Sequence, residues 1–273
     1  MAVLTQPRLR VQPWLDALDK ADMGWMHWPL SDLAITPGIS VSELHERIAA
    51  NAWTLLPSPS AVILLMRALS RAGLAWPSAC GLGLIGPGSH RALKDWLDRV
   101  PGLREAALIQ PAQAPFDAAG LMSHPQFSQP HQVQGLRVLV LHRPDGQDRW
   151  LRLLLSRGAR LEIHAFYHQR PLDLDPDALR WLAAQGTSQP LSEALSGLVL
   201  SVASRGAGLT LLRAAQSLGL QAWMTDQDLL THHPAIAQAM HEAGFRRVHL
   251  HDPGVDAFIA KVRALESRQS ARP

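Results

Sequence analysis

Short runs of aliphatic and aromatic residues alternate along the chain with stretches in which apolar positions recur at helical spacing. The runs predict strands buried on both faces, and the spaced stretches predict amphipathic helices. Val3-Leu4-Thr5 predicts a strand, and beyond Pro7 the residues Val11, Trp14, Leu15 and Leu18 share one helical face. A second strand is expected over 25–30. Pro37-Gly38 turns a connector over 36–40, after which Ser40 or Ser42 can cap a helix reaching about Ala50. Strands are then expected over 53–56, 82–85 and 107–109, with helices over 61–72, closed by Gly73, and from His90 to about Val100. Residues 111–134 are rich in Pro, Gln and Ser. They predict one short helix over 117–122 inside an irregular surface excursion.

The pattern is clearest over 135–170. Arg137-Val138-Leu139-Val140-Leu141 predicts a strand, His142-Arg143-Pro144-Asp145-Gly146 a turn, and 148–156 a helix stopped by Gly158. Leu161-Glu162-Ile163-His164-Ala165-Phe166-Tyr167 predicts a second strand. Such a βαβ unit builds a parallel sheet. Downstream, Pro176 suits the first position of a helix through Ala184. Strands are expected over 198–202, 221–224 and 247–250, with helices over 207–218, 233–243 and 255–267.

Strands and helices therefore alternate throughout, which predicts an α/β protein with parallel sheets. The strands are too many for one small sheet. Boundaries near Pro37 and Pro171 would join the N-terminal βαβ piece to the C-terminal third and leave the middle as its own domain. The pattern alone is equally compatible with two consecutive domains.

Composition narrows the class. With 47% hydrophobic and 18% charged residues among 273, the chain can fill a sizeable core. Lysine plus arginine, 26, against 23 acids gives a formal charge of +3, a mild bias that suits an anionic small molecule and does not argue for nucleic acid. Cys80 is the only cysteine, so no internal disulfide forms and a reducing cytoplasm is expected. The first residues lack a signal-peptide layout. The longest apolar run, 61–66, falls far short of the roughly 20 residues of a membrane span.

The candidate chemistry lies where strands give way to helices. Thr5-Gln6-Pro7, Ser58-Pro59-Ser60, Gly86-Pro87-Gly88-Ser89, Arg143-Pro144-Asp145-Gly146 and Ser204-Arg205-Gly206 each set hydroxyls or small residues beside a helix start. Free backbone N–H groups there attract carboxylate or phosphate, although each turn could equally be a plain cap. Their recurrence points to a polyanionic ligand. Gly81-Leu82-Gly83-Leu84-Ile85-Gly86 spells a dinucleotide fingerprint, yet its glycines lie before and within the strand, which predicts tight packing instead. His232-His233 lacks partners at metal-ligand spacing and is read as a helix start. Asp173, Asp175 and Asp177 lack the glycine and distal glutamate of a calcium loop. Cys80, before a buried strand, is read as inert. Tyr167, the only tyrosine, can donate a proton or simply end a strand with its hydroxyl satisfied.

These elements, in this order, resemble the uroporphyrinogen-III synthase family over nearly the whole chain. Ser58-Pro59-Ser60-Ala61-Val62 resembles its Thr-Ser-Pro-Asn-Ala-Val element, and Gly86-Pro87-Gly88-Ser89-His90-Arg91-Ala92-Leu93 its Gly-Pro-x-Thr-x-x-Ala-Leu helix start. Phe166-Tyr167-His168-Gln169-Arg170 resembles its Tyr-Arg-Arg crossing, and Thr5-Gln6-Pro7 its Thr-Arg-Pro. The departures are Gln6 and Asp148 for arginines, Pro57 and Ser89 for threonines, and Pro144 and Gln147 for glycines, whereas Arg143 is retained. The resemblance implies two parallel-sheet α/β domains, 1–36 plus 170–273 and 37–169, joined by a two-stranded connector, with both termini in one domain. It implies a lyase of haem biosynthesis that dehydrates hydroxymethylbilane, a tetrapyrrole polycarboxylate, and closes it to uroporphyrinogen III with its last ring inverted. Tyr167 would be catalytic, and Thr5, Ser58, Ser60, Gly88, Ser89, Arg143 and Ser204 would bind substrate as the two domains close over it. A cytoplasmic monomer needing no cofactor or metal, and engaging neither nucleic acid nor membrane, is expected. The alternative is a relative that has lost catalysis and binds an anion or a tetrapyrrole.

Overall fold

The computed structural model describes residues 1–113, 116–144, 149–172, 174–187 and 198–270. In chain order the elements are β1 (Ala2–Leu4), α1 (Arg8–Lys20), β2 (Trp25–His27), β3 (Ser31–Ile35), α2 (Val41–Ala50), β4 (Trp53–Leu56), α3 (Pro59–Ala72), β5 (Gly81–Leu84), α4 (Pro87–Lys94) and β6 (Leu108–Ile109). There follow α5 (Ala118–Met122), α6 (Pro125–Ser128), α7 (Pro130–Val133), β7 (Arg137–His142), α8 (Arg149–Ser156), β8 (Arg160–Ala165) and β9 (Tyr167–Pro171). The chain continues through α9 (Pro176–Thr187), β10 (Val199–Ser201), α10 (Arg205–Ser217), α11 (Gln221–Thr225), β11 (Asp228–Thr231), α12 (Pro234–Glu242), β12 (Arg247–Leu250) and α13 (Val255–Ser270). Two compact units result: Met1–Asp32 with Gln169–Pro273, and Leu33–His168.

The first unit holds a parallel sheet in the order β12-β11-β10-β1-β2. Leu4 lies between His27 and Ser201, so the N-terminal strand is paired on both sides, and the N-terminal and C-terminal segments share this unit. Alternation along the strands divides the core between two faces. Val3, Leu200 and Leu229 pack with Leu211, Met240 and Phe245 on one side, and Ala2, Leu4, Val199 and Leu230 pack with Val11, Leu18 and Phe258 on the other. In α10 a Cβ on Gly208 would overlap the sulfur of Met240, so a side chain there would require Met240 to move.

The second unit holds a parallel sheet in the order β6-β5-β4-β7-β8. The glycines of β5 are accounted for by packing. A Cβ on Gly81 would overlap the Trp53 ring, and one on Gly83 would overlap the Leu55 side chain. This is the close approach expected of glycine in a strand and leaves no dinucleotide turn. Ser40 and Ser58 cap α2 and α3 by accepting from the N–H groups of Glu43 and Ala61, and Gly73, at φ 66°, closes α3.

The connector is the two-stranded sheet of β3 and β9. It forms because the chain changes partner at Phe166. Phe166 N–H donates to the His142 carbonyl, and its own carbonyl accepts from Thr36 N–H, both at 2.9 Å. The strand expected over 161–167 therefore divides, and Tyr167 opens β9. The parallel α/β fold with a two-stranded connector agrees with the sequence-based expectation.

Three local expectations are corrected. Residues 221–224 form helix α11, and the buried strand is β11. The helix begun near His90 starts at Pro87 and ends at Lys94, before a series of turns. Residues 116–134 hold the expected short helix, α5, yet are no irregular surface excursion: Phe127 and Val133 of α6 and α7 are fully buried, and Arg157 donates to the carbonyls of Met122 and Phe127 at 3.0 and 2.6 Å.

Candidate functional site

The second unit collects most of the candidate residues at the carboxyl edge of its sheet, where open α/β sheets receive ligands. Ser58 follows β4, Gly88 and Ser89 lie in the first turn of α4 after β5, Arg143 follows β7, and Tyr167 lies two residues beyond β8. Four neighbouring strands thus deliver them to one rim.

The contacts separate these residues. Ser58 Oγ lies 2.8 Å from Tyr167 Oη and accepts from Ala61 N–H at 3.1 Å. The tyrosine ring packs edge-on against Phe166, with centroids 6.4 Å apart, and the residue is only 7% exposed. Tyr167 is therefore fixed by its ring and reaches the rim through its hydroxyl end. Ser60 and Ser89 are buried at 4% and 2% exposure, enclosed where α3 and α4 pack together. A Cβ on Gly88 would stand 3.2 Å from Pro59 Cγ, so that glycine serves the same close approach. Arg143 is half-buried, and Pro144 is exposed. Residues 145–148, with Gln147 and Asp148, and Asp173 lie outside the described residues.

The first unit brings Thr5 and Ser204 to its own sheet's carboxyl edge. Thr5 is buried and its hydroxyl donates to the Ser201 carbonyl. Ser204 caps α10, accepting from Ala207 N–H at 3.2 Å. Sequence reasoning marked Gln6 only as a departure from arginine and missed His27 and the pairing around them. Gln6 Nε2 donates to Ser201 Oγ at 3.0 Å, while the buried Gln6 Oε1 has no hydrogen-bond partner among the described residues. His27 Nε2 lies 2.9 Å from the Gln6 carbonyl, which can only accept, so His27 carries its proton on Nε2. The orphaned amide oxygen is an acceptor at a strand end where the resemblance places a donor, and no sequence spacing announces it.

His233 acts as expected of a helix start, its Nδ1 accepting from Ala235 N–H at 3.1 Å. Its neighbour His232 and His251 line a recess of about 560 Å³ with Leu250, Asp252 and Lys261. The two rings stand 6.1 Å apart. Desolvation, then the positive groups His251, His233 and Arg10, push His232 below its ordinary 6.5. Desolvation lowers His251 too, against the pull of the Asp252 carbonyl and carboxylate. Both imidazoles take up protons more readily in the unfolded chain, so the stability they contribute is present above 6.5 and is lost as pH falls below it. Tm should accordingly decline on acidification through that value. A His232→Gln, His251→Gln double variant should show a shallower decline in a thermal-melt series, and an unaltered slope would contradict this assignment.

Burial pushes the Cys80 thiol up, and the side chain lies 3.3 Å from Thr54 Oγ1, so it is protonated core. Among the described residues, no group of three or more His, Cys, Asp or Glu could hold a metal ion, and no helix is long and apolar enough to cross a membrane.

The family model described as uroporphyrinogen-III synthase HemD matches residues 16–260. No curated protein sequence matches. Among solved structures, uroporphyrinogen-III synthetase from Helicobacter pylori is 12% identical, with 97% of this chain and 98% of that chain covered and a TM-score of 0.55. A mutant uroporphyrinogen III synthase from Thermus thermophilus is 15% identical, with 98% of each chain covered and a TM-score of 0.49. At 12% identity the Helicobacter likeness shows the fold alone.

Proposed function

The chain belongs to the uroporphyrinogen-III synthase family, and we propose that it is an active cyclising hydro-lyase that converts hydroxymethylbilane to uroporphyrinogen III. The observation that carries this reading is the convergence of Ser58, Arg143 and Tyr167 on one sheet's carboxyl edge, beside the starts of α3 and α4.

The substrate is a linear tetrapyrrole bearing acetate and propionate carboxylates. Helix starts offer N–H groups and a positive dipole end to such carboxylates, and Arg143 offers a full positive charge. Holding the two ends of a flexible chain together can supply roughly 7–11 kcal/mol of the barrier to closure. In the reaction the terminal C–O bond breaks and water leaves, taking one proton from the Tyr167 hydroxyl. The pyrrole nitrogen lone pair supplies the electrons that expel it. The carbon so exposed is attacked by the substituted position of the last ring, giving a spiro intermediate, and rearrangement inverts that ring. Loss of a ring proton restores aromaticity, so proton and electron balance close without an oxidant or reductant. Ser204 is assigned to carboxylate binding on the first unit, whereas the buried Thr5 has its hydroxyl proton committed to the Ser201 carbonyl and holds that strand end in shape; Gly88 and Ser89 are assigned to shaping the α4 start on the second.

The deciding experiment mixes the purified protein with freshly made hydroxymethylbilane and separates the cyclised products. The expected product is the type III isomer. The type I isomer alone, formed spontaneously, would refute the activity. One observation favours a second reading, a binding protein without turnover: where the resemblance places an arginine, Gln6 holds a buried oxygen with no partner among the described residues. A binder would retain the tetrapyrrole product in equilibrium dialysis and form no type III isomer.

A further inference from the structure

We infer that Ser58 is a positioning residue for Tyr167, donating its hydroxyl proton to the phenol oxygen as that oxygen gives up its own proton. The inference rests on the reading of Tyr167 as the proton donor.

Ala61 N–H can only donate, so at 3.1 Å from it Ser58 Oγ is an acceptor. The single hydroxyl proton of Ser58 is then available elsewhere, and Tyr167 Oη stands 2.8 Å away. In the resting protein either hydroxyl can be the donor. The reaction removes that freedom. Once Tyr167 passes its proton to the leaving hydroxyl, its oxygen carries negative charge and can only accept. Ser58 is the hydroxyl already in place to donate to it. The relay is Ala61 N–H to Ser58 Oγ, and Ser58 O–H to Tyr167 Oη, and it points from the positive end of α3 toward the developing charge. A donor aimed where charge appears during the reaction acts on the chemical step and leaves substrate affinity alone. Burial of the tyrosine to 7% exposure keeps water from replacing that donor.

Placing the hydroxyl at Ser58 also gives α3 its cap, so the test must separate the two roles. Ser58→Thr retains both the acceptor and the proton. Ser58→Asp retains the acceptor for Ala61 N–H and, once ionised, has no proton to give. Ser58→Ala loses both. Type III product formation by wild type and the three variants is measured for kcat and KM. Alongside it, the signal of ring-labelled tyrosine is followed by NMR, which is unambiguous because Tyr167 is the only tyrosine.

Ser58→Ala should lower kcat by at least about tenfold with KM nearly unchanged, in line with loss of one donor to a developing charge. Ser58→Thr should restore most of that rate, Ser58→Asp should not, and the tyrosine signal should move in Ser58→Ala. Three results would overturn the inference while leaving the activity standing. One is an unmoved tyrosine signal, the second is a loss confined to KM, and the third is a Ser58→Asp protein as active as Ser58→Thr, which would reduce the serine to a cap. A wild-type protein that forms no type III product would overturn the activity itself, and this role with it.

Discussion

Tyr167→Phe is expected to slow type III product formation by about 10²–10⁴-fold, the range for loss of one general acid. The change removes a single oxygen from a ring that is held edge-on against Phe166 at 6.4 Å, so the fold should persist. The freed Ser58 hydroxyl can still accept from Ala61 N–H, and the α3 cap should survive. The loss should therefore fall on kcat, with the thermal midpoint nearly that of the unmodified protein. Steady-state assays with fresh hydroxymethylbilane provide the measurement. Turnover equal to wild type would take Tyr167 out of the chemistry, whatever its place on the rim. The residual rate should remain above the spontaneous reaction, because the groups that hold the carboxylates are untouched.

The second large effect is on stability. Phe127→Ala should destabilise the protein by about 3–5 kcal/mol, read from urea unfolding at an unchanged m-value. Phe127 has no exposed surface and meets the Trp53 ring edge-on, with centroids 5.8 Å apart. Its helix, α6, is a single turn and cannot follow the vacated space by sliding along a longer axis. Arg157 pins the backbone at Phe127 itself and at Met122 before it by donating to both carbonyls, so collapse around the cavity is resisted. A cost below about 1 kcal/mol would mean that this segment is as loosely held as its Pro- and Gln-rich sequence suggests.

That segment shows where the sequence pattern loses its hold. A lone phenylalanine among Pro, Gln, Ser and His has no periodicity to declare it buried. The groups that bury it, Trp53 and Arg157, lie on other elements far away in the sequence. Strand β11 is hidden for a related reason. Asp228 opens it at 4% exposure, which reads as a turn residue until its partners are known. His249 Nε2 lies 2.7 Å from its carboxylate, and Arg247 Nε lies 3.7 Å away. Both come from the neighbouring strand β12, and paired in this way a carboxylate can enter a buried strand. Meanwhile Gln221-Ala222-Trp223-Met224, a short apolar run after Gly219, forms a turn of helix, an ambiguity that periodicity alone does not resolve.

Elements bounded by strong local chemistry were legible. Ser58 with Pro59 at one end and Gly73 at the other delimit α3, and the uninterrupted aliphatic run after Arg137 marks β7. The candidate site was legible as a set of strand ends and opaque as a set of contacts. Spacing brings Ser58 and Tyr167 to the ends of strands, and only the sheet order brings their hydroxyls within 2.8 Å. Two candidate serines that proved enclosed, Ser60 and Ser89, carry the same local signature as Ser58. What distinguishes them is the packing of α3 against α4, which neither turn encodes alone.

The place of β1 between β2 and β10 has a consequence for how the protein is made. As the chain leaves the ribosome, β1 first meets only β2. Its other neighbour, β10, is translated after the whole of Leu33–His168, on the order of ten seconds later at about 5–20 residues per second. In that interval the contiguous unit can complete its core while the N-terminal strand keeps one flank unpaired. A nascent chain halted before β10 should therefore present that flank, with Ala2, Val3 and Leu4, to chaperones, and extending synthesis past β10 should withdraw it.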